Sequence, residues 1–378
     1  MKIASILENT KIEKRISITP DIAKKYIDLG FEVALSENYG AHLGFNDQSY
    51  LDLGVKVFKN ENEVIDGSDI IVQLGLLSDE KNLLIKENQT LIGILNPYQN
   101  MNKINNLNKK NINIFSLELL PRITRAQSMD ILSSQANLAG YKAVIESFAN
   151  FEKAIPMMMT AAGTVPAAKV LVVGAGVAGL QAIATAKRMG AIVFATDVRM
   201  ASKEQVESLG GKFLIVDEEA MKEAETSGGY AKEMTEEYKK KEQEVIKKHI
   251  SDQDIVITTA LIPGRPAPRL VTAEMVKSMR TGAVIVDLAA EMGGNCELTK
   301  RNEVFDADGV KIVGYDNLPG ELPKDASTLF AKNLLNFLSS HFNSETKKLE
   351  LDWEDETVKN TLVTKGGNIV SEIVKGVS

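Results

Sequence analysis

The strongest constraint on the fold is an alternation of short apolar runs with helical patterns, which occurs twice along the 378 residues. The first set of runs is KIASI at 2–6, FEVAL at 31–35, VKVF at 55–58, DIIVQL at 69–74, TLIGIL at 90–95 and INIFSL at 112–117. The second set is KVLVVG at 169–174, AIVFAT at 191–196, KFLIV at 212–216, DIVITTA at 254–260, AVIVDLA at 283–289 and KIVG at 311–314. Alternating strands and helices form parallel sheets with helices on both faces. The sequence therefore predicts an α/β protein with two doubly wound, Rossmann-like domains.

Two longer helical patterns, at 132–151 and 322–338, lie between and after these sets. We expect these two helices to link the domains, because apolar residues keep helical spacing along both. The predicted division is a first domain of residues 1–135 plus 322–378, a second of residues 141–314, and connections at 136–140 and 315–321. Within the first domain, Thr19 and Pro20 predict a helix that begins with Thr19 as its N-cap and ends at Gly30.

Composition excludes several classes of function. The net charge of −7 offers no basic face to nucleic acid. The single cysteine, Cys296, cannot form an internal disulfide and fits a reducing compartment. The N-terminal residues lack the apolar core of a signal peptide. Residues 154–186 carry only one charge, at Lys169, but their prolines and glycines argue against a spanning helix, so we expect no direct membrane insertion.

The segment VLVVGAGVAGLQA carries a dinucleotide-binding pattern in its full context, since it follows an apolar strand and opens a helix. Gly174 permits the tight turn, Gly176 permits close approach of a pyrophosphate, and Gly179 permits close packing of helix on strand. Asp197 lies about 20 residues further on and can accept hydrogen bonds from a ribose, which favours NAD over NADP. Arg199 complicates this preference, because an arginine there can accommodate a 2′-phosphate. The alternative is a glycine-rich turn without a ligand.

No obvious general base accompanies this pattern. His42 lies in a glycine-flanked turn, and His249 and His341 fall on predicted helices, so all three are expected to be surface or packed residues. Cys296 has no histidine nearby and is expected to be a buried small residue. No group of residues has metal-ligand spacing. After the strand at 254–260, the backbone and Leu261 are expected near the nicotinamide ring.

The segment Pro121–Ser133, PRITRAQSMDILS, is the polar loop of this chain. It contains no His, Lys, Cys or Glu, so none of its side chains titrates near neutral pH. Such residues can orient a ligand without exchanging protons with it. For Asp130 the alternative is the N-cap of the helix that follows.

Five segments together carry a resemblance that covers most of the chain. They are PRITRAQSMDILSSQANLAGYKAV, VVGAGVAGLQAIATAKRMGAIVFATDVR, SGGYAKEM, TTALIPGRPAP and VDLAAEMGGNCE. The chain resembles the NAD(H)-binding component, domain I, of the proton-translocating NAD(P) transhydrogenases, in the split form where that component is a separate polypeptide. The resemblance implies direct hydride transfer between NAD(H) on this chain and NADP(H) on a partner domain, coupled to proton translocation by a membrane subunit. It implies activity only with the partner subunits.

The resemblance also implies site residues. Gln127 would hold the nicotinamide carboxamide, and Arg122 the ring-side phosphate or the carboxamide. Asp130 and Ser133 would hold the nicotinamide ribose or the Arg122 fork. Gln127, Arg122 and Asp130 are the expected catalytic set. The expected cofactor-binding set is Arg122, Ile123, Thr124, Gln127, Asp130, Ser133, Gly174, Gly176, Val177, Gly179, Asp197, Val198, Arg199, Gly229, Tyr230 and Leu261, where Gly229 and Tyr230 belong to a mobile loop.

The implied partners are the membrane-embedded and NADP(H)-binding transhydrogenase subunits and a second copy of this chain. The implied location is the cytoplasmic side of the inner membrane, attached through those subunits. The acidic run Glu350–Glu356 is expected at the surface, with a partner contact around Trp353 as the alternative.

Alanine dehydrogenase is a related family, and three positions separate the two interpretations. Arg15 matches its substrate-carboxylate arginine and is expected here to pair with a local acid. Gln73 stands where that family has its catalytic lysine, and Asn96 where it has its histidine. An amino-acid dehydrogenase of this type remains one alternative, and a non-catalytic NAD-sensing module is another.

Overall fold

The computed structural model describes residues 1–224, 232, 234–262 and 264–375. Gly229 and Tyr230, which the sequence assigns to a cofactor loop, lie outside the described residues.

The secondary structure alternates strands and helices along both halves of the chain. The strands are β1 Lys2–Ser5, β2 Glu32–Ser36, β3 Lys56–Phe58, β4 Ile70–Val72, β5 Thr90–Gly93, β6 Asn113–Ser116, β7 Met158–Thr160, β8 Gly163–Val165, β9 Lys169–Val173, β10 Ile192–Thr196, β11 Lys212–Phe213, β12 Ile255–Thr258, β13 Val284–Asp287, β14 Val304–Ala307, β15 Val310–Val313, β16 Phe342–Asn343, β17 Lys348–Leu349, β18 Leu362–Lys365 and β19 Asn368–Ile369. The α-helices are α1 Pro20–Leu29, α2 Asp47–Leu51, α3 Glu61–Ile65, α4 Asp79–Asn82, α5 Pro97–Asn108, α6 Ile131–Asn150, α7 Val177–Arg188, α8 Ser202–Ser208, α9 Glu218–Lys222, α10 Glu236–Ile250, α11 Ala273–Ser278, α12 Pro323–Ser340, α13 Glu356–Thr361 and α14 Glu372–Lys375. Short 3₁₀ helices lie at Ala41–Leu43, Leu117–Leu119, Thr124–Met129, Ala290–Met292 and Leu318–Glu321.

The chain divides into two compact units. The first consists of Met1–Gln135 together with the chain from Gly320 onward, and the second is Ala136–Pro319. The chain leaves the first unit within α6 and returns to it just before α12. The finer domain boundaries and connecting segments given by the sequence stay a prediction.

In the described residues, the first unit contains an eight-stranded sheet of order β19-β18-β6-β5-β4-β1-β2-β3. The strands from β1 to β6 run parallel, whereas β18 is antiparallel to both β6 and β19. The parallel strands are buried on both faces, as expected for a sheet covered by helices on each side. The C-terminal residues therefore complete a sheet that the N-terminal residues begin.

The second unit contains a seven-stranded sheet of order β11-β10-β9-β12-β13-β15-β14, again in the described residues. It is parallel except for the edge strand β14. After β11 the chain crosses to the other side of β9, so the strand order reverses between β9 and β12. Ligands of open α/β sheets bind beyond the carboxyl ends of the strands at such a reversal. The predicted fold class is confirmed.

Helix α1 begins and ends where the sequence predicts, at Pro20 and before Gly30, whose φ of 102° closes the helix. The predicted capping role of Thr19 is wrong in one respect. Its backbone occupies the N-cap position, but its side chain makes no capping hydrogen bond, and its buried hydroxyl has no partner among the described residues. The helix start therefore relies on backbone bonds from Ile22 and Ala23 to the Thr19 carbonyl.

A β-hairpin formed by β7 and β8 in the second unit was not expected from the sequence. Its strands pair antiparallel, and they carry exposed or partly exposed residues along their whole length. Met157, Met158 and Met159 expose 61%, 43% and 79% of their surface. Consecutive exposed methionines are unusual on a surface that contacts only water.

Among the described residues, every helix is too short or too polar to cross a lipid bilayer.

Candidate functional site

The glycine-rich turn joins the carboxyl end of β9 to the start of α7. Gly174 has a φ of 99°, which favours glycine. A Cβ atom on Gly179 would lie 1.9 Å from the Gly174 carbonyl oxygen, so the helix rests directly on the turn. A Cβ atom on Gly176 would meet no heavy atom within 4 Å. The turn is thus closed at Gly179 and open at Gly176, and the first residue of α7, Val177, follows the open position.

The loop after β12 supports the same turn from the neighbouring strand. The Thr259 hydroxyl donates to the Gly174 carbonyl at 2.9 Å. Asn295 holds this loop, because its side chain accepts from the Ala260 N–H at 3.0 Å and donates to the Ala260 carbonyl at 2.9 Å. Leu261 follows and exposes 52% of its surface. Asn295 was not predicted from the sequence, since it follows a pair of glycines far along the chain.

Asp197 lies at the end of β10, where it binds the turn and its own neighbour. One carboxylate oxygen accepts from the Ala175 N–H at 2.7 Å. The other accepts from the Arg199 backbone N–H at 2.9 Å, and the Arg199 guanidinium reaches both oxygens at 2.8 and 2.9 Å. Val198, between the two, is half-buried. The positive charge of Arg199 is therefore directed at Asp197 in this structure, and a ribose would share the carboxylate with it.

A second acid lies near Asp197 and was not predicted from the sequence. Glu242 on α10 exposes only 6% of its surface. Burial raises the pKa of the Glu242 carboxyl to about 7, and the negative charge of Asp197 contributes to this rise. Tyr238, one turn earlier on the same helix, has a buried hydroxyl without a partner among the described residues. The ribose-binding aspartate thus has an uncharged or titrating neighbour near neutral pH.

The polar loop encloses an open pocket of about 400 Å³ in the first unit. Arg122, Thr124 and Gln127 are exposed, whereas Ala126 and Met129 on the same 3₁₀ helix are buried. The pocket is lined by Pro121, Arg122, Ile123, Thr124, Ala126, Gln127, Asp130 and Ser133. The structure therefore brings all six predicted loop residues together.

Asp130 has the capping role that the sequence left open. Its carboxylate accepts from the Ser133 N–H at 2.9 Å and from the Ser133 hydroxyl at 2.5 Å, at the start of α6. Both residues nevertheless line the pocket. A contact from either to a nucleotide stays a prediction.

Arg15 pairs with a local acid, as expected. Its guanidinium donates to both oxygens of Glu13, at 2.8 and 2.6 Å, and to the Gln135 side chain at 2.7 Å. Both ions are largely buried. Its donors are thus committed to neighbours of its own unit.

Gln73 is fully buried, and its amide is bound within the sheet. Its oxygen accepts from the Ser5 hydroxyl at 2.5 Å and from the Ile6 N–H at 3.1 Å, while its nitrogen donates to the Ile6 carbonyl. The side chain joins the ends of β1 and β4. A proton-transferring group is therefore replaced by an amide that makes structural hydrogen bonds.

Two carboxyl groups adjoin these positions and were also not predicted. Glu8 accepts from the Leu74 N–H at 3.0 Å, and Glu118 accepts from the Asn96 N–H at 2.5 Å. Burial raises the pKa of each to about 7. The first unit thus holds groups that titrate near neutral pH, although the polar loop does not.

Cys296 is buried as expected, and burial raises the pKa of its thiol to about 11. Such a thiol is not a nucleophile at neutral pH. The part of the chain that the structure describes contains no cluster of acidic, histidine or cysteine side chains that could hold a metal ion.

Comparison with known proteins agrees with this geometry. Residues 6–139 match the family description "Alanine dehydrogenase/PNT, N-terminal domain", and residues 143–372 match "Alanine dehydrogenase/PNT, C-terminal domain". This chain belongs to the alanine dehydrogenase/PNT family. The chain is 52% identical to the first polypeptide of the divided NAD(P) transhydrogenase subunit alpha of Rhodospirillum rubrum, over 100% of this chain and 99% of that protein.

Solved structures of the alanine dehydrogenase/PNT family share the fold. A transhydrogenase from Sinorhizobium meliloti is 43% identical, with a TM-score of 0.84 over 98% of this chain and 99% of that chain. An L-alanine dehydrogenase is 22% identical, with a TM-score of 0.82 over 100% of this chain and 99% of that chain. The second likeness shows the fold alone, and the predicted relation to both families is confirmed.

Two glycines of the turn should separate stability from binding. We expect Gly179→Ala to lower the free energy of unfolding by about 1–3 kcal/mol, because the added methyl group meets a backbone oxygen. Gly176→Ala should leave stability within about 1 kcal/mol, since its methyl group has free space, yet weaken NADH binding about tenfold by blocking the pyrophosphate. Urea unfolding and NADH titration measure both. Equal NADH affinity for Gly176→Ala and wild type would contradict this use of the turn.

Glu242 should give a pH-dependent stability. Its pKa is 4.5 in its ordinary state and about 7 when folded. The folded protein therefore binds the proton more tightly, and stability is lost as pH rises from 4.5 through 7. We expect Glu242→Gln to gain on the order of 1–3 kcal/mol relative to wild type between pH 5 and pH 8. Exposed Glu244→Gln, on the same helix, is the control. Parallel pH profiles for wild type and Glu242→Gln would refute the buried titration.

Proposed function

We propose that this chain is the NAD(H)-binding subunit of a proton-translocating NAD(P) transhydrogenase. NAD(H) binds at the glycine-rich turn of the second unit, and its nicotinamide is oriented by Gln127 with Arg122 and Asp130. NADP(H) binds to a partner domain. The similarity to proteins named as transhydrogenase alpha subunits supports this proposal.

The observation that carries the proposal is the pocket of the polar loop. Its lining supplies hydrogen-bonding groups and no group that titrates near neutral pH. Hydride transfer between two nicotinamide rings forms one C–H bond at C4 and breaks another, and neither carbon gains or loses a proton. The reaction therefore requires alignment of the rings and exclusion of water rather than a general base. An amide, a guanidinium and hydroxyls provide alignment.

We propose the wider assembly on the same basis. The chain functions with an NADP(H)-binding subunit and a membrane-embedded subunit, on the cytoplasmic side of the inner membrane, and is active only with them. It forms a homodimer. The exposed methionines of the β7–β8 hairpin support an interface with another protein surface, because methionine adapts to irregular apolar contacts.

An amino-acid dehydrogenase is the second candidate. Gln73 and Asn96 cannot transfer protons, but Glu8 and Glu118 adjoin them and have pKa values of about 7. A carboxylate of that pKa can serve as a general base. Such an enzyme would reduce NAD⁺ with alanine and oxidise NADH with pyruvate and ammonia.

The proposed function is tested by stopped-flow transfer of hydride from NADPH, bound to an isolated NADP(H)-binding transhydrogenase domain, to an NAD⁺ analogue on this protein. We expect rapid transfer that requires both proteins, because each holds one nucleotide. Tight NADH binding without transfer would refute the transhydrogenase role and favour an NAD sensor. Alanine-dependent reduction of NAD⁺ would instead establish the dehydrogenase.

The same assay tests the residue with the most specific role. We expect Gln127→Asn to slow hydride transfer about tenfold or more while the NADH dissociation constant changes less than about twofold, because the shorter amide misplaces the ring rather than releasing the nucleotide. Gln48→Asn, an exposed glutamine in the first unit, serves as the control. Equal losses of rate and affinity would remove Gln127 from the transfer step.

A further inference from the structure

The polar loop is fixed from outside by residues more than 200 positions away in sequence. Arg125, two residues before Gln127, forms a two-pronged ion pair with Asp355. Its two terminal nitrogens donate to the two carboxylate oxygens of Asp355 at 2.7 and 2.9 Å. Paired bonds of this kind restrict direction as well as distance.

The other side of Gln127 is held by helix α12. The side-chain amides of Asn333 and Asn336 both donate to the Ser128 carbonyl, at 2.9 and 2.8 Å. The Asn333 oxygen also accepts from the Ser134 hydroxyl at 2.7 Å. Gln127 thus lies between two attachment points, at Arg125 and Ser128.

Both attachment points lead to well-packed structure. Asn333 exposes only 8% of its surface on α12, whose Phe330, Leu334 and Phe337 belong to the core of the first unit. Asp355 is the N-cap of α13, where it accepts from the Thr357 N–H at 2.8 Å and from the Thr357 hydroxyl at 2.6 Å. The exposed loop therefore inherits its position from buried elements rather than from its own packing.

The charge of Asp355 is secure. Its hydrogen bonds with the Arg125 guanidinium hold the pKa of the carboxyl well below its usual range, so the pair stays ionised at any pH at which the protein is folded. The Arg125 side chain is 51% exposed, and half-exposed ion pairs contribute little to stability. The pair is accordingly suited to orient the loop rather than to hold the unit together.

We propose that Asp355, together with Asn333 and Asn336, is a positioning residue that aligns Gln127 for hydride transfer. The inference rests on the proposed function. These residues touch neither nucleotide and act through the backbone of residues 125–128. They also give the acidic run Glu350–Glu356 a role inside the chain, where a surface or a partner contact was expected.

The test uses Asp355→Asn, Arg125→Gln and the double variant in the full chain. Asparagine is as good an N-cap as aspartate, so α13 keeps its cap while the ion pair is lost. We expect each single variant to slow single-turnover hydride transfer about tenfold, with the NADH dissociation constant within about twofold of wild type, since misalignment affects the transfer step and not the binding energy. The double variant should be no slower than either single variant.

Glu354→Gln is the matched control. It lies one residue before Asp355 and removes the same charge, but its partner is Lys359 and not the loop. Its transfer rate should equal that of wild type. A rate for Asp355→Asn equal to that of Glu354→Gln would overturn the inference, as would equal losses of rate and NADH affinity.

Amide hydrogen exchange keeps the two proposals separable. Without any nucleotide, Asp355→Asn should raise exchange in peptides covering residues 121–131, and Glu354→Gln should not. Unchanged exchange in Asp355→Asn would refute the anchoring, whether or not wild type transfers hydride. If wild type itself transfers none while exchange responds as expected, the proposed function fails and the anchoring of the loop stands.

Discussion

Gly179 has no side chain where the Gly174 carbonyl oxygen lies, and the position of helix α7 depends on that contact. Because helix and turn touch there, the N-terminus of α7 lies directly beyond the end of β9. Asp197 from β10 and Thr259 after β12 bind the same turn from the two neighbouring strands. The reversal of strand order provides a crevice, and this contact fixes its floor and the direction of its helix dipole.

The first unit solves a different problem. Its parallel sheet also reverses order, between β1 and β4, but Gln73 closes that position with hydrogen bonds to Ser5 and Ile6. In the alanine dehydrogenase/PNT family one fold can therefore serve two chemistries. A lysine and a histidine at these positions favour proton transfer, whereas amides leave the sheet intact and transfer the chemistry to a separate loop. The balance depends on whether Glu8 and Glu118 only fill structural positions.

Local signals in the sequence predicted most of the fold. The strands, α6, α12 and the glycine turn each depend on residues within one short segment, so periodicity and glycine spacing were sufficient. Non-local contacts could not be predicted in this way. Nothing in the sequence around Asn333 or Asp355 indicates a bond to residues 125–128, and the burial of Glu242 depends on packing of α10. The β7–β8 hairpin lay in an apolar segment without alternation, and Thr19 had the right residue type without the expected bond.

The antiparallel strand β18 has a consequence for the order in which the protein is made. The second unit is contiguous, and it is complete once residue 319 has been synthesised. The first unit must wait for α12 and β18, although its six parallel strands are translated first. During that interval the edge of β6 has no neighbour, and an unpaired edge invites association with other chains. The protein thus emerges from the ribosome with its second unit able to fold before its first.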